Sequence, residues 1–298
     1  MYKVFGASEV IMKISGLFKR GRPVFSLEVF PPKKDGSINS IYSTLDGLRD
    51  LSPDYISVTY GAGGNLADTK TRQIASLIKN QYGIEAMAHL TCVSCSEAEV
   101  ENILVDFKKY GIENILALRG DVNPNVPPKD DFRYASELTS FIKARGGFDV
   151  AGACYPECHT EAPDIDTDIE NLKKKVDAGA DFLVTQLFFD NSYFYSFREK
   201  AVRAGINIPM TAGIMPVTNK NQIERMVTMC GASIPRALSH IMAKYSDDPK
   251  ALLDAGVEYA AIQIDGLLRS SVDGIHLYTM NNPEVAKRIF AAVKKTSL

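Results

Sequence analysis

The sequence predicts an α/β chain of the (β/α)8 barrel class, a TIM barrel with extra helices before its last strand and at both termini. Three observations carry this prediction. Eight short apolar runs recur along the chain, an amphipathic stretch of helical length separates each from the next, and no Pro/Gly/Ser-rich linker or shift in composition divides the 298 residues. One catalytic domain over residues 1–298 is therefore expected.

Taken in order, the first run is 24–30, Val-Phe-Ser-Leu-Glu-Val-Phe, which Pro31 and Pro32 end because proline donates nothing to a strand ladder. The remaining strands are read at 55–59, 85–91, 114–118, 149–155, 182–188, 209–214 and 274–278. Helical periodicity falls between them at 40–50, 69–80, 97–110, 134–145, 166–178, 193–204 and 222–229. The last gap is longer and holds two helices, 235–245 and 249–268, and 283–294 closes the chain as another. Residues 1–22 are expected to pack on the barrel as an extension, with a helix across its bottom. An open doubly wound sheet is disfavoured because no Gly-x-Gly-x-x-Gly follows the first strand, and Gly61-Ala-Gly-Gly-Asn65 lacks the third glycine.

Composition excludes several function classes. A formal net charge of -2, with 23% charged residues, offers no basic surface for nucleic acid. Residues 1–22 have no unbroken apolar core or cleavage site, and no later segment has the ~18 apolar residues of a membrane span, so a soluble cytoplasmic protein acting on a small molecule is expected. The five cysteines, Cys92, Cys95, Cys154, Cys158 and Cys230, are an odd set without a secretory signal, and a disulfide framework is not expected. Strands three and five flank strand four, so Cys92, Cys95, Cys154 and Cys158 are a candidate thiolate zinc site. Four independent small apolar side chains are the alternative, and no metal is assigned.

In a barrel of this class the chemistry lies at the C-terminal ends of the strands. Glu28 stands there as a lone carboxylate in an apolar strand, where desolvation should raise its pKa by about two units, near 2.7 kcal/mol. A solvent-facing edge-strand Glu is the alternative. Thr59, Tyr60 and Gly61–Gly64 follow strand two, His89 lies near the end of strand three, and Arg119-Gly120-Asp121 follows strand four. Tyr155 and His159 follow strand five, Gln186 lies within the end of strand six, and residues 213–219 and 278–281 follow strands seven and eight. Each alone has an ordinary explanation as a turn glycine, a core histidine or an ion pair. Their concentration at one end of eight strands points to a site. On the helix after strand five, Asp168, Asn171 and Lys175 share a face beside the apolar stripe Ile169, Leu172 and Val176. That row fits either a solvated face or a ligand at the rim, and Lys173, Lys174 and Lys175 offer cations for a phosphate.

These residues resemble a known family. Ser26-Leu-Glu-Val-Phe-Pro-Pro-Lys33, Val58-Thr-Tyr-Gly-Ala62, His89-Leu-Thr-Cys92, Ala117-Leu-Arg-Gly-Asp121, Tyr155-Pro-Glu, Lys175-Val-Asp-Ala-Gly-Ala180, Thr185-Gln186, Phe188-Phe-Asp190, Gly213-Ile-Met-Pro216 and His276-Leu-Tyr-Thr-Met-Asn281 occur in the order found in methylenetetrahydrofolate reductases. The chain resembles the short bacterial form, without a regulatory domain. The resemblance implies a (β/α)8 barrel with non-covalent FAD. It implies hydride transfer from NADH or NADPH to methylenetetrahydrofolate, giving methyltetrahydrofolate for one-carbon metabolism and methionine synthesis. It implies that Glu28 is the general acid that opens the folate's imidazolidine ring and that Asp121, the second catalytic residue, lies at the flavin's pyrimidine edge and touches the pterin. Thr59, Gln186 and Gln222 match substrate contacts. Tyr60, His89, Arg119, Gly120, Ala135, Tyr155, His159, Asp168, Asn171, Lys174 and Lys175 match positions that hold FAD. Two positions depart from the family: Met226 replaces an aromatic residue and Asn282 an arginine. A homo-oligomer is expected, with a partner subunit that delivers electrons as a further partner. Competing readings are another flavin barrel, such as one resembling proline dehydrogenase, and a pterin-binding or electron-transfer subunit active only with a partner.

Overall fold

The computed structural model describes residues 13–32, 39–60, 69–122 and 127–296. The glycine-rich stretch 61–64 and residues 1–12 lie outside the described residues. Eight parallel strands close in sequence order: β1 Val24–Val29, β2 Tyr55–Val58, β3 Glu85–Thr91, β4 Asn114–Leu118, β5 Asp149–Cys154, β6 Phe182–Thr185, β7 Met210–Ile214 and β8 Gly274–Tyr278. The helices are α1 Ile14–Leu17, α2 Asn39–Arg49, α3 Thr69–Asn80, α4 Glu97–Lys109, α5 Ala135–Arg145, α6 Ile165–Asp177, α7 Asn191–Arg203, α8 Lys220–Cys230, α9 Arg236–Lys244, α10 Pro249–Arg269 and α11 Pro283–Thr296. The fold class and the paired helices before β8 are as the sequence predicts. Strand six is the main difference: it ends at Thr185, so Gln186 follows it and donates its N–H to the Cys154 carbonyl at 2.7 Å.

The strand period of two divides each strand between two cores. Outward residues such as Leu27, Val29, Ile56, Ala88, Ile115, Val150 and Leu183 pack under the helices. Inward residues Val24, Tyr55, Met87, Leu116, Ala151, Phe182 and Val184 fill the lower half of the barrel. Helix α1 and the 3-10 turn Phe18–Arg20 close its bottom, with Ile14 and Leu17 in the same apolar cluster and Phe18 5.4 Å from Phe182. Side chains at the lower ends of the strands satisfy the open N–H groups of this short helix. Asn114 Oδ1 accepts from Ile14 N at 3.0 Å and Asp149 Oδ2 from Ser15 N at 2.8 Å. The bottom is therefore dry and closed, and only the top is left for a ligand.

A third cluster lies above β6 and β7, where Leu187, Phe189, Met215, Val217, Ile223, Leu238, Met242 and Leu252 join α8, α9 and α10 into a wall beside the mouth. Helix α10 reaches this wall through Gly256, whose added Cβ would overlap the Val217 carbonyl oxygen. Alanine there would gain about 1 kcal/mol of helix propensity, but backbone at that distance cannot yield as a flexible side chain can. Gly256→Ala should therefore lower the unfolding free energy by a net ~2 kcal/mol or more, read as a fall in denaturant midpoint; an unchanged or higher midpoint would show that the wall can shift.

Candidate active site

The inward positions above the apolar half are polar: Ser26 and Glu28 on β1, Ser57 on β2, His89 on β3 and His276 on β8. Register places Glu28 beside Ser57 on one side and Tyr278 on the other. Its Oε2 lies 3.4 Å from Ser57 Oγ, 3.4 Å from His276 Nε2 and 3.5 Å from His89 Nε2. His276 is fully buried; its Nδ1 lies 2.8 Å from Ser26 Oγ, and the Tyr55 ring stacks at 6.2 Å. Tyr278 meets the other side of the imidazole edge-on at 5.3 Å and donates its hydroxyl proton to the Thr185 carbonyl at 2.7 Å. This crossing is possible because residue 213 is glycine: a Cβ there would overlap the Thr185 carbonyl oxygen and lie 2.8 Å from the tyrosine hydroxyl.

Burial alone pushes the Glu28 carboxyl up, but the His276 hydrogen bond, the charges of His89 and His276, and Ser57 outweigh it and hold it below its ordinary value. The sequence expectation of a rise is thus reversed. Its physical reason is that the two imidazoles reach Glu28 from β3 and β8, and only closure of the sheet brings them there. Burial pushes His89 down to about 4, with Glu28 raising it in opposition. Its Nε2 is buried 3.5 Å from Glu28 Oε2 and makes no hydrogen bond among the described residues.

Above this floor opens a cavity of about 1150 Å³, larger than the ~300–1,000 Å³ of ordinary small-molecule sites. Glu28, Thr59, Tyr60, His89, Arg119, Gly120, Asp121, Ala135, Tyr155, His159, Asp168, Asn171, Lys174, Lys175 and Gln186 all line it. Gln222 does not. It sits in the first turn of α8, where its N–H donates to the Asn219 Oδ1 cap at 3.1 Å, and Met226 one turn later reaches the cavity instead. Asn282 is also away from the lining; its Oδ1 caps α11 by accepting from Val285 N at 3.2 Å.

One end of the cavity is built from the β4 and β5 loops and α6. Gly120 turns at φ +85, where a Cβ would meet Thr91 at 2.8 Å, so the loop lies close over β3. The Arg119 guanidinium is gripped at two points by Glu161, with Nη2 to Oε1 at 2.6 Å, and this hydrogen bonding raises its pKa further. His159 Nδ1 accepts from Glu161 N at 3.1 Å, so the neutral ring carries its proton on Nε2, and Tyr155 packs edge-on against it at 4.5 Å. Asp168 accepts the His159 N–H at 3.0 Å, and burial raises its carboxyl. Lys175 is half-buried, donates to the Ala153 carbonyl at 2.6 Å, lies 6.0 Å from the Tyr155 ring, and has its pKa lowered by desolvation. Lys174 donates to Asn171 Oδ1 at 2.9 Å. The polar row on α6 thus lies at the cavity rim, with Asp168 and Lys175 half-buried and Asn171 and Lys174 exposed.

Met215, Tyr278 and Met280 line the cavity from the strand-end stretches 213–219 and 278–281 that the sequence marks, whereas Glu161 and Thr91 are not singled out. Glu161 has no local signal. The candidate zinc site does not assemble: among the described residues no group of three metal-ligating side chains forms, and all five cysteines are free. Cys92 and Cys154 occupy outward positions in the core under the helices, and burial pushes the Cys92 thiol up to about 12. The cavity is thus wide, with the partly buried Glu28 carboxylate in its floor, cations at one end and thioethers at the other.

A family model described as methylenetetrahydrofolate reductase matches residues 13–294. A 5,10-methylenetetrahydrofolate reductase from Pectobacterium carotovorum is 37% identical over 270 residues, covering 91% of this chain and 90% of the relative. One from Escherichia coli is 36% identical with the same coverage. An Arabidopsis thaliana protein, methylenetetrahydrofolate reductase (NADH) 1, is 34% identical over 288 residues, 92% of this chain and 48% of that protein. Among solved structures, a Clostridium thermocellum protein reported to bind two copies of 5-methyl-5,6,7,8-tetrahydrofolic acid shares the fold at TM-score 0.66 and 13% identity, over 96% of this chain and 99% of that chain.

The His89 environment makes a pH prediction. Because its folded pKa is about 4 against an ordinary 6.5, the unfolded chain binds a proton through that window while the folded chain does not. Stability should fall as pH drops from 6.5 towards 4, by on the order of 3 kcal/mol in all, before the lowered Glu28 carboxyl adds its own loss at lower pH. Denaturant midpoints should show His89→Gln flattening that segment; an unaltered slope would mean that His89 titrates normally.

Proposed function

This chain belongs to the methylenetetrahydrofolate reductase family and is a flavin-dependent enzyme that reduces methylenetetrahydrofolate to methyltetrahydrofolate, and we propose that the cavity above Glu28 is where it does so, with FAD as the flavin and NADH or NADPH as the donor. The observation that carries the placement is that one cavity collects Glu28, Asp121, Gln186 and the α6 row. The described residues act as one catalytic unit. Bound there, the flavin supplies the hydride chemistry and takes its electrons from the nicotinamide.

The protein's residues do the rest. Lys174, Lys175 and Asn171 on α6, with Arg119, hold the dinucleotide's anionic tail, a charge too large to leave uncompensated in a half-buried groove. Asp168 orients the His159 backbone, and Tyr155, His159, Tyr60, Gly120 and Ala135 shape the groove. His89, with its Nε2 3.5 Å from Glu28 Oε2, lines the floor beneath the ring system. Asp121 would stand beside the bound flavin, and Thr59 and Gln186 would orient whichever substrate binds against it. Met226, one turn along α8 from Gln222, faces the substrate's outer part. Glu28 gives a proton to the nitrogen that departs when the imidazolidine ring opens, and the surrounding apolar walls exclude water from the exposed iminium carbon.

Two experiments test this. Glu28→Gln should keep its flavin and be reduced by NADH or NADPH within about tenfold of the normal rate, while reduction of methylenetetrahydrofolate falls ~10²–10⁴-fold. Rapid-mixing absorbance at the flavin band reads both steps, and equal losses would make Glu28 a structural residue. Lys175→Met keeps the apolar stem but removes the charge, and should weaken FAD binding about tenfold to a hundredfold by flavin fluorescence titration. Undiminished affinity would move the anionic tail elsewhere.

A further inference from the structure

The residue that ends β6 is held in an unusual way. Val184 pairs with Thr211, so the next bond of a regular parallel ladder would run from the Gly213 N–H to the Thr185 carbonyl. Gly213 donates instead to the Thr185 hydroxyl, at 2.8 Å. The fully buried carbonyl is left to a side chain from another strand, and the Tyr278 hydroxyl of β8 reaches across β7 to donate to it at 2.7 Å. On the other edge of the same peptide, the Gln186 N–H donates to the Cys154 carbonyl of β5 at 2.7 Å. The peptide plane joining Thr185 to Gln186 is therefore pinned twice, by β5 through its N–H and by β8 through its C=O.

That plane carries the Gln186 side chain. One side-chain atom accepts from the Leu187 N–H at 2.9 Å; a backbone N–H can only donate, so this atom is Oε1, and the NH2 group is the end left for a ligand in the cavity. Gln186 lies beyond the last residue of β6, and the ladder to β7 stops at Val184, so turning of this one peptide would swing the NH2 group away. Tyr278 itself has little to offer a ligand. Its hydroxyl is spent on Thr185, its ring lies edge-on against His276 at 5.3 Å, and burial raises its phenol well above the ordinary value. We propose that Tyr278 is a positioning residue: its hydroxyl, acting through the Thr185 carbonyl, holds the Gln186 amide as a hydrogen-bond donor to an acceptor atom of the bound substrate, such as a ring carbonyl. The inference rests on the reading of Gln186 as a substrate contact. Without the hydroxyl the buried carbonyl loses its partner, and the peptide turns to find another donor, taking Gln186 with it.

The test compares the wild type with Tyr278→Phe, Gln186→Ala and the double variant. Phenylalanine keeps the ring against His276 and removes only the hydroxyl. Tetrahydrofolate, which carries no one-carbon group to oxidise, is titrated anaerobically into the flavin-loaded enzymes and followed by the flavin absorbance. Tyr278→Phe should bind it about tenfold more weakly, the effect of one lost hydrogen bond, with FAD affinity by fluorescence titration kept within about twofold. In the Gln186→Ala background the same change should cost less than about twofold, because the group it positions is gone. Unaltered tetrahydrofolate affinity in Tyr278→Phe, or an equal loss in both backgrounds, overturns the proposal. A parallel loss of FAD binding overturns it too, by making Tyr278 a general structural residue. Nitrogen-15 glutamine NMR of the flavin-loaded protein without folate gives a readout apart from binding and turnover. The Gln186 NH2 signals, identified by their absence in Gln186→Ala, should move in Tyr278→Phe towards those of an exposed glutamine, and unmoved signals overturn the positioning. Undiminished tetrahydrofolate affinity in Gln186→Ala would instead overturn the reading of Gln186 as a substrate contact, and the NH2 signals then decide the role of Tyr278 by themselves.

Discussion

A carboxylate inside a closed barrel is the constraint on which the rest of this structure depends. An isolated charge there would cost several kcal/mol, and this protein offsets that cost with short polar side chains from β1, β2, β3 and β8. Ser57, His89 and His276 converge within 3.5 Å of Glu28. Serines at positions 26 and 57 keep the neighbours small enough for two imidazoles to fit in one layer. Immediately below, Tyr55, Met87, Leu116 and Phe182 restore an apolar core, sealed by α1. Polar and apolar layers are therefore stacked along the barrel axis, and the acid sits at the boundary, accessible only from above.

The strand ends that carry Glu28 are tied beyond the regular ladder. Thr279 Oγ1 donates to the Glu28 carbonyl at 2.6 Å, and the Asn281 side chain accepts from Phe30 N at 3.0 Å and donates to the Phe30 carbonyl at 2.8 Å. To do this, Met280 and Asn281 both adopt positive φ, 52° and 56°, which non-glycine residues rarely do. The strained turn keeps the β1–β8 seam closed after the strands diverge and brings Met280 to the cavity wall. It also explains why Asn282 begins α11 and does not face a ligand.

The far end of the cavity follows a different logic. There the charges sit on one helix and on loops that meet it, and they are already paired within the protein: Arg119 with Glu161, Lys174 with Asn171, Lys175 with the Ala153 carbonyl. Such partners keep long cationic side chains ordered around a groove, which lowers the entropy lost when an anion arrives. Helix α6 can do this because Asp164 caps its start and Ile169 and Leu172 anchor it on the barrel, leaving the adjacent row at the rim.

Much of this was legible in the chain itself. Strand count, strand order and the apolar stripes follow from periodicity, because alternation of two and spacing of 3.6 are local properties. The position of Glu28, the strand-end residues and the α6 row followed from the same local rules. Strand six could not be bounded correctly, since Leu187, Phe188 and Phe189 are as apolar as a strand but pack under α9 and α10 and beside α7. Nor could the cysteines be placed by spacing, because a shift of one residue turns Cys92 from the rim to the outer core. The protonation of Glu28 was out of reach for the deepest reason. Its pKa depends on His89 and His276, 61 and 248 positions away, and electrostatics acts through distance in space, which only closure of the sheet defines. The sequence by itself determined which elements form and which end of them carries the chemistry; the tertiary structure alone decided which charges face one another there.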